Sequence, residues 1–428
     1  MGTTMKSSKQ RVQKWVAAFV IGASLAGTVA VVPFTAAYAA DKDKKDEKNA
    51  VSAKSAKTLK AAKDLIDQKK YQDGLVKLKE AEGIAGKTPY DQYIIDQLYA
   101  YAYSRTNNLA DAEKSLEAVL NSQYVPQSEV ADRTRTLMLI NYQLKNYDKA
   151  IDFGQRAVKG GFANDDMYKF TSQAYFLKND FKSVKSFTEP YVEMEVKNGR
   201  TPTEEILQIL LNSCAKLNDD ECVTKQLERL VTYHPKNEYW QNLLYSMFQA
   251  PSMNDKTLLN TFRLANEVDI LKRPDDYTEM AQLAIEAGSP GEAQHVLEKG
   301  FQKNVFPDAR AQDKNKRLLA SAQKAADADK LSLAKSATDA DAAPTGEKDV
   351  AVGLAYLGYQ QYDKAAELIS KGIAKGGVKN DAEAHLLLGI AQLKSGKKDD
   401  AVKTFKAVKG DPNMERLANL WGLHAKQA

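Results

Sequence analysis

Apolar residues recur every three to four positions through most of this chain, and nowhere do they alternate with polar ones between turn signals. That periodicity predicts helices and no sheet. Inside the helical stretches a second spacing appears: a small residue is followed by another small residue twelve places later, and the pair returns at a near-constant interval. The clearest pairs are Ala62/Gly74, Ala100/Ala112, Ala281/Ala293, Gly353/Ala365 and Gly389/Ala401. Twelve residues separate the facing points of two antiparallel helices joined by a tight turn, where their backbones cross closely only if neither side chain is bulky. A single hairpin cannot bury its apolar face and must stack on its neighbours. The pattern predicts an all-α solenoid of about nine antiparallel helical hairpins, an architecture that usually binds rather than catalyses.

The register is traced by the residue three places before the second small position. Tyr71, Leu109, Tyr147 and Phe181 occupy it in four successive hairpins, where a large group plugs the corner between the two helices. The strings Lys145-Asn146-Tyr147-Asp148-Lys149-Ala150, Asn179-Asp180-Phe181 and Gln361-Tyr362-Asp363-Lys364-Ala365 join turn-prone polar residues to that plug. These features resemble the tetratricopeptide repeat, with Gly or Ala at repeat position 8, Ala at 20 and aromatics at 11 and 17, most clearly at Leu388-Gly389 with Ala401 and Phe405. The resemblance implies a right-handed superhelix.

Departures from the pattern are informative. Ser172/Val184 and Leu211/Val223 replace the small pair, so those hairpins are expected to pack wider. The hairpin from Glu238 to Leu271 is degenerate, with Pro251 interrupting it. Asp308 to Lys335 reads as one long Ala/Lys/Asp helix or as a repeat that has lost its turn, and a soft joint is expected over 326–348. The expected division is a signal peptide (1–39), a charged flexible leader (40–57), an N-terminal array (58–307), the long helix and joint (308–348), and a C-terminal pair with a final helix (349–428).

The N-terminus carries Lys6, Lys9, Arg11 and Lys14, then an uncharged apolar run from Trp15 to Val32, then Ala37-Tyr38-Ala39. This is the layout of a cleaved secretory signal. The apolar run falls just short of the ~20 residues that span a bilayer, so an uncleaved anchor is the rival reading. Met1 retained in the native protein would mean an anchor; Ala40 or Asp41 as first residue would mean release. Without the four basic residues of this segment, 61 basic against 56 acidic becomes 57 against 56. A nearly neutral mature chain argues against a nucleic-acid partner.

Catalytic and metal motifs are missing from the pattern. His234, His295, His385 and His424 are scattered, and none sits with Cys, Asp or Glu at ligand spacing. There is no Gly-x-Ser-x-Gly elbow and no phosphate loop; Lys159-Gly160-Gly161 and Lys375-Gly376-Gly377 fall at predicted helix ends and read as C-caps. No cofactor or metal is expected. Cys214 and Cys222 fall in one hairpin and are candidates for a disulfide in an exported protein.

The inner face of the first helices, at repeat positions 5, 9, 12 and 13, interleaves cations and aromatics: Tyr101 and Arg105, then Arg135, Leu139 and Tyr142, then Lys169, Gln173 and Phe176. Tyr101, Arg105, Arg135, Tyr142, Lys169 and Phe176 are the candidate contacts for a protein or peptide with carboxylates and apolar side chains. A solvated face is the alternative. In the last two hairpins Leu354, Leu357, Ile390 and Leu393 make the same face apolar, either as a docking site or as the seat of a final helix from Met414 to His424. The chain resembles exported tetratricopeptide proteins of the Gram-negative envelope, which implies a non-enzymatic periplasmic scaffold, in envelope assembly or TonB-type transport. A cell-wall enzyme or its accessory subunit, and an anchored structural protein, remain the alternatives.

Overall fold

One backbone conformation closes the hairpins. Lys69, Asn107, Lys145, Asn179 and Gln360 all lie in the left-handed region, with φ between 56° and 62°. In each case the next helix starts two residues later, at Tyr71, Leu109, Tyr147, Phe181 and Tyr362. The plug residue is therefore the first residue of the second helix, and the polar residue two places before it takes the turn that a β-branched residue resists.

The computed structural model describes residues 49–248 and 254–427, and among these it holds twenty helices and no strand. The expected signal peptide, the first half of the leader (40–48) and Pro251 lie outside the described residues. The chain forms two compact units that divide between Asp220 and Glu221, within the stretch expected as one N-terminal array. In the first unit lie α1 (Ala53–Asp67), α2 (Tyr71–Glu82), α3 (Pro89–Arg105), α4 (Leu109–Leu120), α5 (Gln127–Gln143), α6 (Tyr147–Lys159), α7 (Asp165–Leu177), α8 (Phe181–Lys197) and α9 (Glu204–Lys216). In the second lie α10 (Asp220–Tyr233), α11 (Asn237–Phe248), α12 (Asp255–Glu267), α13 (Pro274–Glu286), α14 (Pro290–Gln302), α15 (Ala309–Asp341), α16 (Glu347–Gly358), α17 (Tyr362–Lys375), α18 (Asp381–Lys394), α19 (Lys398–Ala407) and α20 (Pro412–Ala425). Cys214 and Cys222 are both in disulfide form.

The small pairs sit where the helices cross. Ala62, Ala112, Ala281, Ala293, Ala365 and Ala401 are fully buried, as is Ala150. A Cβ on Gly353 would lie 2.5 Å from Ile369 Cγ1 and 3.3 Å from the Ala365 carbonyl oxygen, and one on Gly389 2.5 Å from the Phe405 ring. No side chain beyond hydrogen fits at either point without displacing its neighbour. At the Ser172/Val184 pair the crossing is bridged instead: the Ser172 and Thr188 hydroxyls share a 2.8 Å hydrogen bond.

Two expectations from the sequence change. The stretch assigned to a flexible leader through Lys57 is already helical from Ala53, because buried Asp91 of α3 grips its start. The carboxylate accepts from Ser52 N (2.8 Å), Ser52 Oγ (2.7 Å), Ser55 Oγ (3.0 Å) and Thr88 N (2.8 Å). Burial works against ionisation there, but the bonds from Ser52, Thr88 and Ser55 outweigh it and hold Asp91 below the usual carboxylate range. The soft joint over 326–348 is packed: α15 runs for 33 residues with Asn315, Ala322, Ala326, Leu333 and Ala340 buried on one stripe. Only past Asp341, ahead of Pro344, does the helix stop. Tyr359 pins it from the end of α16, donating to Ala326 O (3.2 Å) and Asp329 Oδ2 (2.7 Å).

Within the second unit the last helix packs back on the early ones. Arg416 Nη2 of α20 donates to Ser246 Oγ of α11 at 2.8 Å, and His424 meets the Trp240 ring edge-on at 6.2 Å between centroids. Glu267 of α12 receives Lys394 of α18 at 3.0 Å and lies 3.4 Å from His424 Nε2. Asn260 Nδ2 donates to Glu383 Oε1 (3.1 Å), while Asn260 Oδ1 accepts from Arg263, itself bidentate to Glu292 at 2.7 and 2.8 Å. This seam joins residues more than a hundred positions apart. Of the apolar face expected on the last hairpins, Ile390 and Leu393 are buried while Leu354 and Leu357 are half-buried.

Candidate binding surfaces

In the first unit the first helices α3, α5, α7 and α9 follow one another, and each adds a short row of side chains. Arg105 lies over the Tyr101 ring, its guanidinium carbon 5.6 Å from the centroid. The Tyr71 hydroxyl first, and Tyr101 second, hold the exposed Arg105 above its ordinary pKa. One repeat on, Arg135 Nη2 meets Asp166 at 2.5 Å, and Lys169 approaches the same carboxylate at 3.5 Å while resting 5.0 Å from the Phe170 centroid. The cations of this face are thus partly neutralised by Asp166, a residue the reading of the sequence passed over.

Tyr142 and Phe176 are packing residues as well as face residues. Tyr142 is 5 % exposed, edge-on to Phe170 at 5.1 Å, and its hydroxyl donates to Gln173 Oε1 at 3.1 Å. Burial, with a smaller contribution from Tyr147, pushes that hydroxyl up to about 12. Phe176 is half-buried and sits edge-on to Phe181 at 5.3 Å. The structure brings Arg135, Tyr142, Lys169 and Gln173 together across α5 and α7, and places Tyr101 with Arg105 on α3.

Two atoms on these helices lack partners. Arg135 Nε and Asn212 Oδ1 are buried with no hydrogen bond, and Asn212 is 7 % exposed. Asn212 follows Leu211 as Gln173 follows Ser172, so the register itself marks it as the next member of the polar row. An unsatisfied buried donor or acceptor costs about 1–3 kcal/mol, a cost that a bound backbone can relieve.

The second unit holds a different feature, an open pocket of about 440 Å³ bordered by α12, α13, α16 and α18. Leu259, Leu283, Val350, Leu354 and Leu387 line it, with Asp255, Glu286, Glu347 and Glu383 around them and Lys256 as the only basic residue of the lining. Lys256 is committed to Glu383 at 3.1 Å. Asp255, Glu347 and Glu383 occupy the first turns of α12, α16 and α18, so their charges also answer the helix dipoles. The volume suits one or two side chains or a small molecule rather than a length of extended peptide. Among the described residues no group of three or more His, Cys, Asp or Glu is placed to hold a metal ion, and no helix is long and apolar enough to cross a membrane.

No curated protein sequence matches the chain. Among solved structures, a chain of the Naa15/Naa10 complex bound to HypK-THB is 14 % identical with a TM-score of 0.32, over 87 % of this chain and 62 % of its own length. The pentatricopeptide repeat protein PPR10 from maize is 16 % identical with a TM-score of 0.30, over 86 % of this chain and 51 % of that one. The TPR2AB domain of yeast Sti1, in its pHSP90 complex, is 14 % identical with a TM-score of 0.24, over 70 % of this chain and 95 % of that one. This chain therefore spans about three-fifths of the first of these and half of the second. The tetratricopeptide repeat family model matches residues 100–166 and 351–415, one segment in each unit. Each unit of this all-α protein thus holds one segment similar to the tetratricopeptide repeat.

Proposed function

We propose that the protein is a non-enzymatic scaffold, exported to the periplasm, that holds an extended segment of a partner protein along the inner face of its first unit during cell-envelope assembly or TonB-type transport. The observation that carries this reading is the row on α5, α7 and α9, where cations, rings and amides alternate and where Arg135 Nε and Asn212 Oδ1 are buried without partners. An extended peptide supplies what they lack, since nearly every residue offers one carbonyl and one amide. Acidic side chains on the peptide compete with Asp166 for Arg135 and Lys169, and Arg105 gives them a third cation. The receptor is preformed, so little of the ordering cost falls on it. The export reading rests on the basic, then apolar, then small-residue order of the first forty residues.

The double variant Arg105→Glu/Arg135→Glu tests the groove by crosslinking and pull-down from intact cells. Capture of the partner falls at least about tenfold, while the circular-dichroism melt stays within a few degrees. Asp166→Asn removes the competing carboxylate but keeps both cations, so it retains or strengthens capture. Undiminished capture by the folded double variant would sink the proposal.

A further inference from the structure

The long helix α15 has no repeat partner of its own, and its outward face differs from its buried one. Asn315, Ala322, Ala326, Leu333 and Ala340 form the buried stripe. Arg310, Lys314, Arg317 and Lys324 follow at spacings of four, three and seven, which places them within an arc of about 80° on the helix, turned well away from that stripe. All four are exposed, and none takes part in an ion pair or side-chain hydrogen bond among the described residues. Leu331 adjoins the same arc and is 90 % exposed, more than any other large apolar side chain among the described residues. Lys335 lies on the arc as well, paired with Asp339 at 2.5 Å. Asp313 borders it, so the face as a whole stays basic.

We infer that this face of α15 docks flat on an anionic lipid surface, the cations facing headgroup phosphates and Leu331 entering the interfacial layer. The choice of a lipid surface rests on area and shape. A strip from Arg310 to Lys335 is about 38 Å long and about 10 Å wide, roughly 400 Å², about half of what a stable protein interface buries per partner. It is convex, without a groove to seat another protein's side chains, and a lipid surface conforms where a rigid protein does not. Each Lys or Arg near an anionic leaflet raises binding about fivefold, and the attraction falls within a Debye length. One leucine is too little to hold the helix without the charges.

The test is co-sedimentation of the protein, purified as the chain that begins at Ala40, with vesicles of phosphatidylcholine alone or of phosphatidylcholine mixed with phosphatidylglycerol. Binding is expected only to the acidic vesicles and declines steeply between low and physiological salt. Arg317→Glu/Lys324→Glu lowers the partition coefficient at least about twentyfold, and Leu331→Asp lowers it further, with unchanged melts. Equal binding to neutral vesicles, no binding to acidic ones, or capture of soluble polyglutamate in preference to vesicles would each overturn the inference. Arg105→Glu/Arg135→Glu leaves vesicle binding unchanged, which separates this face from the partner groove.

Discussion

A Cβ built on Gly154 of α6 falls 1.8 Å from Thr171 Oγ1 and 2.9 Å from Thr171 Cβ on α7. The hydroxyl can swing aside but the branch point cannot, so Gly154→Ala is expected to lower stability by about 1–3 kcal/mol, read as a drop in the melting temperature. In the Thr171→Gly background, which removes the branch point itself, the same change costs less than half as much, and equal costs in both backgrounds would show that the clash is misplaced. This contact also marks what could be read in advance at the scale of single residues. Ala62/Gly74 and Gly389/Ala401 announce themselves because both partners of the crossing lie in one hairpin, at a fixed distance of twelve. Gly154 meets a residue of the following repeat, and the loop between repeats varies in length, so no constant offset reveals the pair. Asn212 lay between these cases: the register places it beside Gln173, but its missing hydrogen bond belongs to three dimensions.

Whole elements are held by groups that titrate. Hydrogen bonds from His424 first, against the cost of burial, and then from Lys394, draw the Glu267 carboxyl from 4.5 down to about 2. A carboxyl whose folded pKa is depressed stabilises the fold above its unfolded value, and that contribution is lost as pH falls through the folded one. The seam between α12, α18 and α20 is therefore expected to weaken between about pH 4.5 and 2, by an amount on the order of 3 kcal/mol. Denaturant titrations of the protein and of Glu267→Gln at pH 7, 4.5 and 3 check this. The variant is less stable at pH 7, and the gap narrows at pH 3; a gap that stays constant would mean that the carboxylate is not held as described. Helix existence was legible for nearly all twenty elements from apolar period and turn residues. The long α15 was legible as one of two readings, and its packing was not, because Ala322, Ala326 and Ala340 look the same in sequence whether they face a neighbour or water.

At the scale of the molecule, the array character was readable and the closure of the second unit was not. Local periodicity predicts that hairpins stack on their neighbours, but nothing in it reports that Glu267 meets His424 or that Arg416 meets Ser246, since such contacts depend on the summed rotation of every intervening repeat. The apolar row Leu354, Leu357, Ile390 and Leu393 was a partial signal, and it fitted a docking site and an internal seat equally well. Deleting residues 409–428 is expected to raise amide hydrogen exchange in α11 and α12, far away in sequence, by at least about tenfold. Exchange in α3 to α7 stays unchanged. An effect confined to α18 and α19 would show that the return of α20 contributes nothing.

An open stack tolerates gaining or losing a hairpin, because either end can be extended without disturbing contacts already made. The second unit has given up that freedom. Its final helix must arrive at α11 and α12 at one particular angle, so a duplicated or deleted hairpin would carry α20 past its seat and strip Trp240 and Trp421 of cover. Lineages related to this chain are accordingly expected to vary in hairpin number before residue 220 and to keep that number, and the length of α15, constant after it.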